Sequence, residues 1–195
     1  MTDGWHLGTI RGREGVAPRR LLVVKLGGSL LTRPRWPEEI ELLVSGLRRP
    51  LRLIVGGGTV VDGLRAIDAA AARPPALMHR LAVEAMRLTG AIVAESLALP
   101  VVTTTDDAHP AAILDVAAWL TTHAVPLPEG WSVTSDSLAA AVTATVGADL
   151  LLVKSVRPPG ETSTLRTLSA AGWVDAAFPT AANAVATIRW AAPAP

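Results

Sequence analysis

A single α/β domain built around a mainly parallel sheet is the fold class this sequence predicts, and three observations predict it. Apolar runs at residues 21–26, 51–55 and 150–153 are continuous rather than alternating, as strands covered on both faces are. Segments with helical periodicity separate these runs, which is the order of βαβ units. No repeat or low-complexity linker divides the 195 residues, a length that suits roughly one domain. Half of the residues are hydrophobic and 18% are charged, enough apolar mass for a core and too much for a disordered chain. The expected division is an N-terminal extension over 1–20, one domain over 21–190 and a tail over 191–195.

In chain order, residues 21–26 form the first strand, bounded by Pro18 and by Gly27-Gly28. Pro37 with Glu38 and Glu39 marks a helix start, and that helix runs to about Leu47. Residues 51–55 are the second strand, ending in Gly56-Gly57-Gly58. Two helices follow over 59–72 and 77–97, separated by Arg73-Pro74-Pro75. A third strand is expected over 100–104 and a helix over 111–122. Residues 131–133 lead into a helix over 136–146 that Gly147 ends, and 150–153 is the fourth strong strand. Past Arg157-Pro158-Pro159-Gly160 the pattern weakens, with a last strand expected over 185–190.

Eighteen basic against seventeen acidic residues leave a net charge of +1, which argues against a nucleic-acid binder relying on bulk charge. With no cysteine there is no disulfide, thiolate metal site or thiol nucleophile. The first twenty residues lack the apolar stretch of a signal peptide, and no run approaches the roughly 20 residues of a membrane span. The expectation is a soluble cytoplasmic protein without nucleic-acid or membrane partners. Lysine occurs only at Lys25 and Lys154, and every other basic residue is arginine.

Ligands of open parallel sheets bind beyond the carboxyl ends of the strands. Here the first strand ends in Lys25-Leu26-Gly27-Gly28-Ser29, the second in Gly56-Gly57-Gly58-Thr59 and the fourth in Lys154-Ser155. Glycines let backbone N–H groups approach an anion, a helix N-terminus adds donors, and an ammonium group is a compact charge for a phosphate oxygen. A Gly-Gly after a strand is by itself only a turn. The triple glycine is more specific, since it costs backbone entropy without an evident packing return. Neither the P-loop pattern nor G-x-G-x-x-G fits, because Val61 stands where the third glycine belongs. In Thr134-Ser135-Asp136-Ser137, Ser135 or Asp136 can serve as a helix cap. An acid placed between two lysines would hold both ammonium groups in position and keep them charged.

Residues 23–29 (VVKLGGS), 54–58 (IVGGG), 134–140 (TSDSLAA) and 147–154 (GADLLLVK) fall in the order that resembles the amino acid kinase superfamily, over about residues 21–154. Residues 76–86, 131–137 and 154–156 look most like the small archaeal-type kinases of (aminomethyl)furanylmethyl phosphate, which act in methanofuran biosynthesis. The resemblance implies a three-layer αβα sandwich, with ATP and an acceptor on opposite sides of the sheet edge and Mg²⁺ on the ATP oxygens. It implies that Lys25 stabilises the transferring phosphoryl group and that Gly27, Gly28 and Ser29 hold ATP phosphates. Gly56, Gly57 and Gly58 would face the γ-phosphate and acceptor, and Asp136 would organise the lysines, with Lys154 and Ser155 at the same edge. It also implies a homo-oligomer, for which the alanine-rich helix over 77–98 is the candidate contact.

The sequence departs from the family pattern twice. No lysine follows Lys154, where many members place a second catalytic lysine, so Lys154 supplies that charge or the clamp is incomplete. Arg157-Pro158-Pro159-Gly160 stands where an acidic run borders the adenine in relatives. On the acceptor side, Asp62 and Arg65 stand on the first turns of the helix after the triple glycine, where Arg65 either binds an acceptor phosphate bidentately or forms with Asp62 a solvated helix-face pair. His79 stands where acceptors bind in relatives, and Thr134 and Ser135 complete the candidate acceptor contacts. Asp106, Asp107 and His109 are too sparse to assign a metal. Trp119, Trp131 and Trp173 are expected in a core or interface. The functional expectation is an ATP-dependent phosphotransferase acting on a small phosphate monoester. The alternatives are a kinase-fold subunit that binds a nucleotide or oxyanion without turnover, and a uridylate kinase.

Overall fold

A computed structural model of the chain describes residues 4–12, 21–106, 108–160 and 164–194. Seven strands form one sheet: β1 (Trp5–Arg11), β2 (Leu22–Leu26), β3 (Leu51–Val55), β4 (Val101–Val102), β5 (Ala111–Leu114), β6 (Asp149–Val153) and β7 (Ile188–Pro193). Their spatial order is β1-β7-β6-β2-β3-β5-β4. All neighbours are parallel except β1, which runs antiparallel to β7. The helices are α1 (Trp36–Gly46), α2 (Gly58–Ala70), α3 (Pro75–Ser96), α4 (Val116–Leu120), α5 (Ser135–Val146), α6 (Leu165–Ala170) and α7 (Phe178–Ala181). They lie on both faces, giving the expected mainly parallel αβα arrangement.

The three central strands explain the unbroken apolar runs. Val23, Ile54, Leu150 and Leu152 enter one core, with Leu138, Ala139 and Val142 of α5. Leu22, Val24, Leu26, Leu53, Val55, Leu151 and Val153 enter the other, with Ile40 and Leu43 of α1. Side chains alternate along a strand, so a sheet covered on both sides buries both sets, and the polar Lys25, Arg52 and Asp149 within these strands are buried with them.

Three expectations are revised. The helix predicted over 111–122 is instead β5 followed by α4. Asp115 stops the strand and caps the helix, its Oδ1 accepting from the Ala118 backbone N–H at 3.0 Å. Alanines made this stretch read as helix, and pairing with β3 and β4 overrides that propensity. The third strand shrinks to Val101–Val102, and the last strand lies a few residues later than expected. Within the expected N-terminal extension, Trp5–Arg11 forms the edge strand β1, while residues 13–20 lie outside the described residues.

Candidate active site

Strand alternation aims both lysines at one helix end. Lys25 pairs with Leu152 and Ile54 in the parallel register and so shares the α5-facing side of the sheet. Lys154, just past β6, continues the parity of Leu150 and Leu152. Between them sits Asp136 in the first turn of α5. Its Oδ1 lies 2.6 Å from Lys25 Nζ, and its Oδ2 accepts from Lys154 Nζ at 2.6 Å. Lys154 also donates to the Trp173 carbonyl at 2.5 Å, with its ammonium 5.0 Å from the Trp173 ring centroid.

Two ammonium groups sharing one buried carboxylate have predictable electrostatics. Burial alone would raise the Asp136 carboxyl, but the two ammonium groups outweigh it and hold it below the ordinary range. Burial lowers Lys154, the Lys25 charge lowers it further, and Asp136 only partly offsets them, leaving it at about 8. Lys154 thus changes charge close to neutral pH.

The start of α5 is fixed by a residue that sequence reasoning missed. Asp175, beyond α6, accepts from Thr134 N at 3.0 Å, Thr134 Oγ1 at 2.7 Å, Ser137 N at 3.1 Å and the Ser137 hydroxyl. Thr134 is the N-cap, accepting from the Asp136 N–H at 3.3 Å. The cap expected from Ser135 or Asp136 is therefore supplied by Thr134 and Asp175, which frees Asp136 for the lysines. A carboxylate on helix N–H groups also matches the helix dipole. No local motif links residues 38 positions apart.

The glycine loops interlock, and this corrects the expectation that the triple glycine has no packing return. A Cβ on Gly28 would lie 2.5 Å from Gly56 O and from Gly58 Cα. Gly58 has φ of +52°, and a Cβ there would lie 2.7 Å from Gly28 O. A Cβ on Gly56 would meet Ser135 Oγ at 2.7 Å. The glycines thus bring the end of β2, the start of α2 and the start of α5 together, backbone against backbone.

Beside these loops lies a cavity of about 400 Å³. Gly28, Ser29, Gly56, Gly57, Gly58, Asp62, Arg65, His79, Thr134, Ser135 and Lys154 all line it, so most of the candidate residues converge. Lys25 and Asp136 sit behind it, both buried. Gly27 serves the sheet, donating its N–H to Val153 O at 2.8 Å. Ser155 stands to one side, its Oγ 3.0 Å from Ser29 Oγ. Val61, Ala82, Val83, Met86, Val133 and Leu138 supply an apolar wall. His79 Nδ1 lies 3.4 Å from Gly130 O.

Trp119 and Trp173 are core residues, as expected. Trp131 is not: it is half-buried on the cavity wall, with the Arg65 guanidinium 4.4 Å from its ring centroid. Asp107 lies outside the described residues, and Asp106 and His109 border a separate hollow at the opposite edge of the sheet. Among the described residues no group of three or more His, Asp or Glu side chains is placed to hold a metal ion.

Two lysines, an acid and paired glycine loops at the carboxyl edge of a parallel sheet define an α/β protein whose site is suited to phosphate groups. The family model "Amino acid kinase family" matches residues 20–157, and the chain belongs to that family, one of kinase-type phosphotransferases. Among solved structures, uridylate kinase from Archaeoglobus fulgidus matches with a TM-score of 0.56 at 13% identity, over 87% of this chain and 99% of that one. UMP kinase from Ureaplasma parvum matches with a TM-score of 0.52 at 12% identity, over 72% of this chain and 70% of that one. At these identities the likeness is one of fold. No curated protein matches the chain.

Proposed function

We propose that the protein transfers the γ-phosphoryl group of ATP to a small phosphate monoester, giving a diphosphate and ADP. By the sequence resemblance, the proposed acceptor is (aminomethyl)furanylmethyl phosphate. The observation that carries the reading is the Lys25–Asp136–Lys154 cluster beside two interlocked glycine loops. Phosphoryl transfer needs in-line positioning and charge neutralisation rather than a protein nucleophile. An acceptor phosphate oxygen bonds to the γ-phosphorus as the bond from that phosphorus to the ADP oxygen breaks.

The residues divide this work. Asp136 fixes both ammonium groups, and only Lys154 of the three lines the cavity wall. The Lys25 charge lies behind it, where it adds to the positive potential at the loops. Main-chain N–H groups of the glycine loops and the N-terminus of α2 supply donors to phosphate oxygens. The apolar wall around Met86 and Leu138 suits the body of the acceptor, and Arg65 and His79 suit its polar groups. Mg²⁺ when bound would neutralise phosphate charge. Both Asp136 oxygens are engaged by lysines, so the ion would be held by the nucleotide's own oxygens.

ADP release by purified protein should be measured against a panel of phosphate monoesters, alongside a Lys25→Ala variant. We expect turnover that falls by at least roughly 100-fold in the variant, in line with removing one charge stabiliser. Unchanged turnover in the variant sinks the mechanism. ATP binding by calorimetry without turnover on any acceptor replaces it with the reading of a non-catalytic binding subunit, which the lack of a lysine after Lys154 favours. A homo-oligomer contact through α3, where Leu88 and Ile92 are more than half exposed, is part of the same proposal and is read by sedimentation.

A further inference from the structure

We propose that Trp131, held by Asp68, is a positioning residue that fixes the guanidinium of Arg65 to receive an anionic group of the acceptor. This rests on the reading above that the cavity takes an anionic acceptor.

Arg65 projects from α2 with an exposed, flexible side chain, and an arginine in that setting loses rotamer freedom when it binds. Here the freedom is already restricted. The guanidinium carbon lies 4.4 Å from the Trp131 ring centroid, a cation–π contact. The guanidinium is held over the ring, and its N–H groups are the donors that can meet two oxygens of one anion.

The ring itself is fastened. Its Nε1–H donates to Asp68 Oδ2 at 2.7 Å, and Asp68 lies three residues after Arg65, one turn along the same helix. Asp68 Oδ1 accepts from the Arg73 backbone N–H at 2.8 Å, which fixes the carboxylate at its second oxygen. These bonds, that from Trp131 foremost, hold the Asp68 carboxyl below its usual range, so it remains an ionised acceptor. The loop carrying Trp131 approaches α3 as well, at the His79 Nδ1 to Gly130 O contact of 3.4 Å. Arg65, Trp131 and His79 all line the same cavity. Helix α2, the Trp131 loop and α3 thus hold one guanidinium at a set angle to the cavity.

Inorganic phosphate is the probe, titrated calorimetrically without nucleotide. The proteins compared are the native chain, Arg65→Ala, Trp131→Ala, Trp131→Phe, Asp68→Asn and the Arg65→Ala/Trp131→Ala pair. Trp131→Ala should weaken phosphate binding by roughly three- to tenfold, the range a partly desolvated cation–π contact supplies. Trp131→Phe, which keeps a ring face but no N–H, and Asp68→Asn should fall between that variant and the native chain. In the Arg65→Ala background the Trp131 substitution should have no further effect, because it acts through Arg65. Native-like binding by Trp131→Ala, full additivity in the double variant, or no phosphate binding by the native chain each overturns the proposal. If Trp131→Ala does not fold, the Phe and Asn variants carry the same test. Phosphate binding with this pattern and no ADP release supports the positioning role while removing the kinase reading, so the two failures are separable.

Discussion

Strand β6 starts on a buried charge, Asp149, and is followed directly by another charge, the half-buried Lys154, and the two ends of the sheet use these groups differently. At its amino end, Asp149 Oδ2 accepts from Arg49 Nη1 at 2.7 Å. On β3, two strands across the sheet, the buried Arg52 donates from Nη1 to Leu51 O at 2.7 Å and to His109 O at 3.0 Å. Just beyond its carboxyl end, Lys154 shares Asp136 with Lys25. The amino end employs guanidinium groups, whose fork ties loops and strand starts to fixed carbonyl and carboxylate partners and whose charge does not titrate. The carboxyl end employs compact ammonium groups that share a single carboxylate, beside two closely packed glycine loops. Ionic groups are thus a fastening at one edge and, at the other, the cluster on which the proposed phosphoryl transfer rests. The distinction lies in the type of cation and in what surrounds it.

Breaking that contrast begins with Asp136→Ala, the variant of largest expected effect. It leaves the buried Lys25 and the half-buried Lys154 without their carboxylate, so stability should drop by about 3–5 kcal/mol in urea titration. Turnover by the folded fraction should fall by at least roughly 100-fold in the ADP assay. Near-native turnover would make the carboxyl-edge cluster another fastening. Asp149→Ala is the matching change at the amino edge. It should cost about 2–3 kcal/mol, the range for a hydrogen bond to a charged group, while kcat of the folded protein is unchanged.

A pH series sharpens the comparison through Lys154, which burial and the Lys25 charge lower. Lys154 stands at about 8, so turnover should decline as pH rises through that value, and Lys154→Arg should abolish the decline whatever its residual rate. Stability responds in the opposite sense. Between about 8 and 10.5 the unfolded chain keeps a proton on this lysine that the folded chain has released, so its contribution to stability rises with pH. Measuring both profiles on one preparation separates a catalytic proton from a structural one. The smallest effect is expected at the exposed Ser29, whose hydroxyl meets that of Ser155 at 3.0 Å. Ser29→Ala should raise the KM for ATP by a few-fold and leave stability within about 0.5 kcal/mol.

The chemistry-bearing residues were legible because their signals are local. A lysine or a glycine run directly after an apolar strand stands at a sheet edge whatever the rest of the fold does, and Lys25, Lys154 and Gly56–Gly58 are of this kind. That Asp136 organises the lysines follows from the family resemblance, and its carboxylate lies between them in the structure. Asp175 and Trp131 were not legible. Asp175 follows a weakly patterned stretch and acts on a helix start far back in the chain, and Trp131 has the composition of a core residue. The strand Ala111–Leu114 was misread for a related reason, since its alanines favour a helix and only the neighbouring strands make it extended.

By itself, the sequence determined the α/β class, the burial of the sheet on both faces and the strand ends where lysines and glycines stand. These follow from periodicity and from backbone sterics, which act over a few residues. Tertiary structure decided that the glycines serve as close contacts between two loops, that Lys154 rather than Lys25 borders the cavity, and that Arg65 is stacked and Trp131 fastened. Each of these depends on which elements pack side by side, and that is settled by burying both faces of one sheet at once.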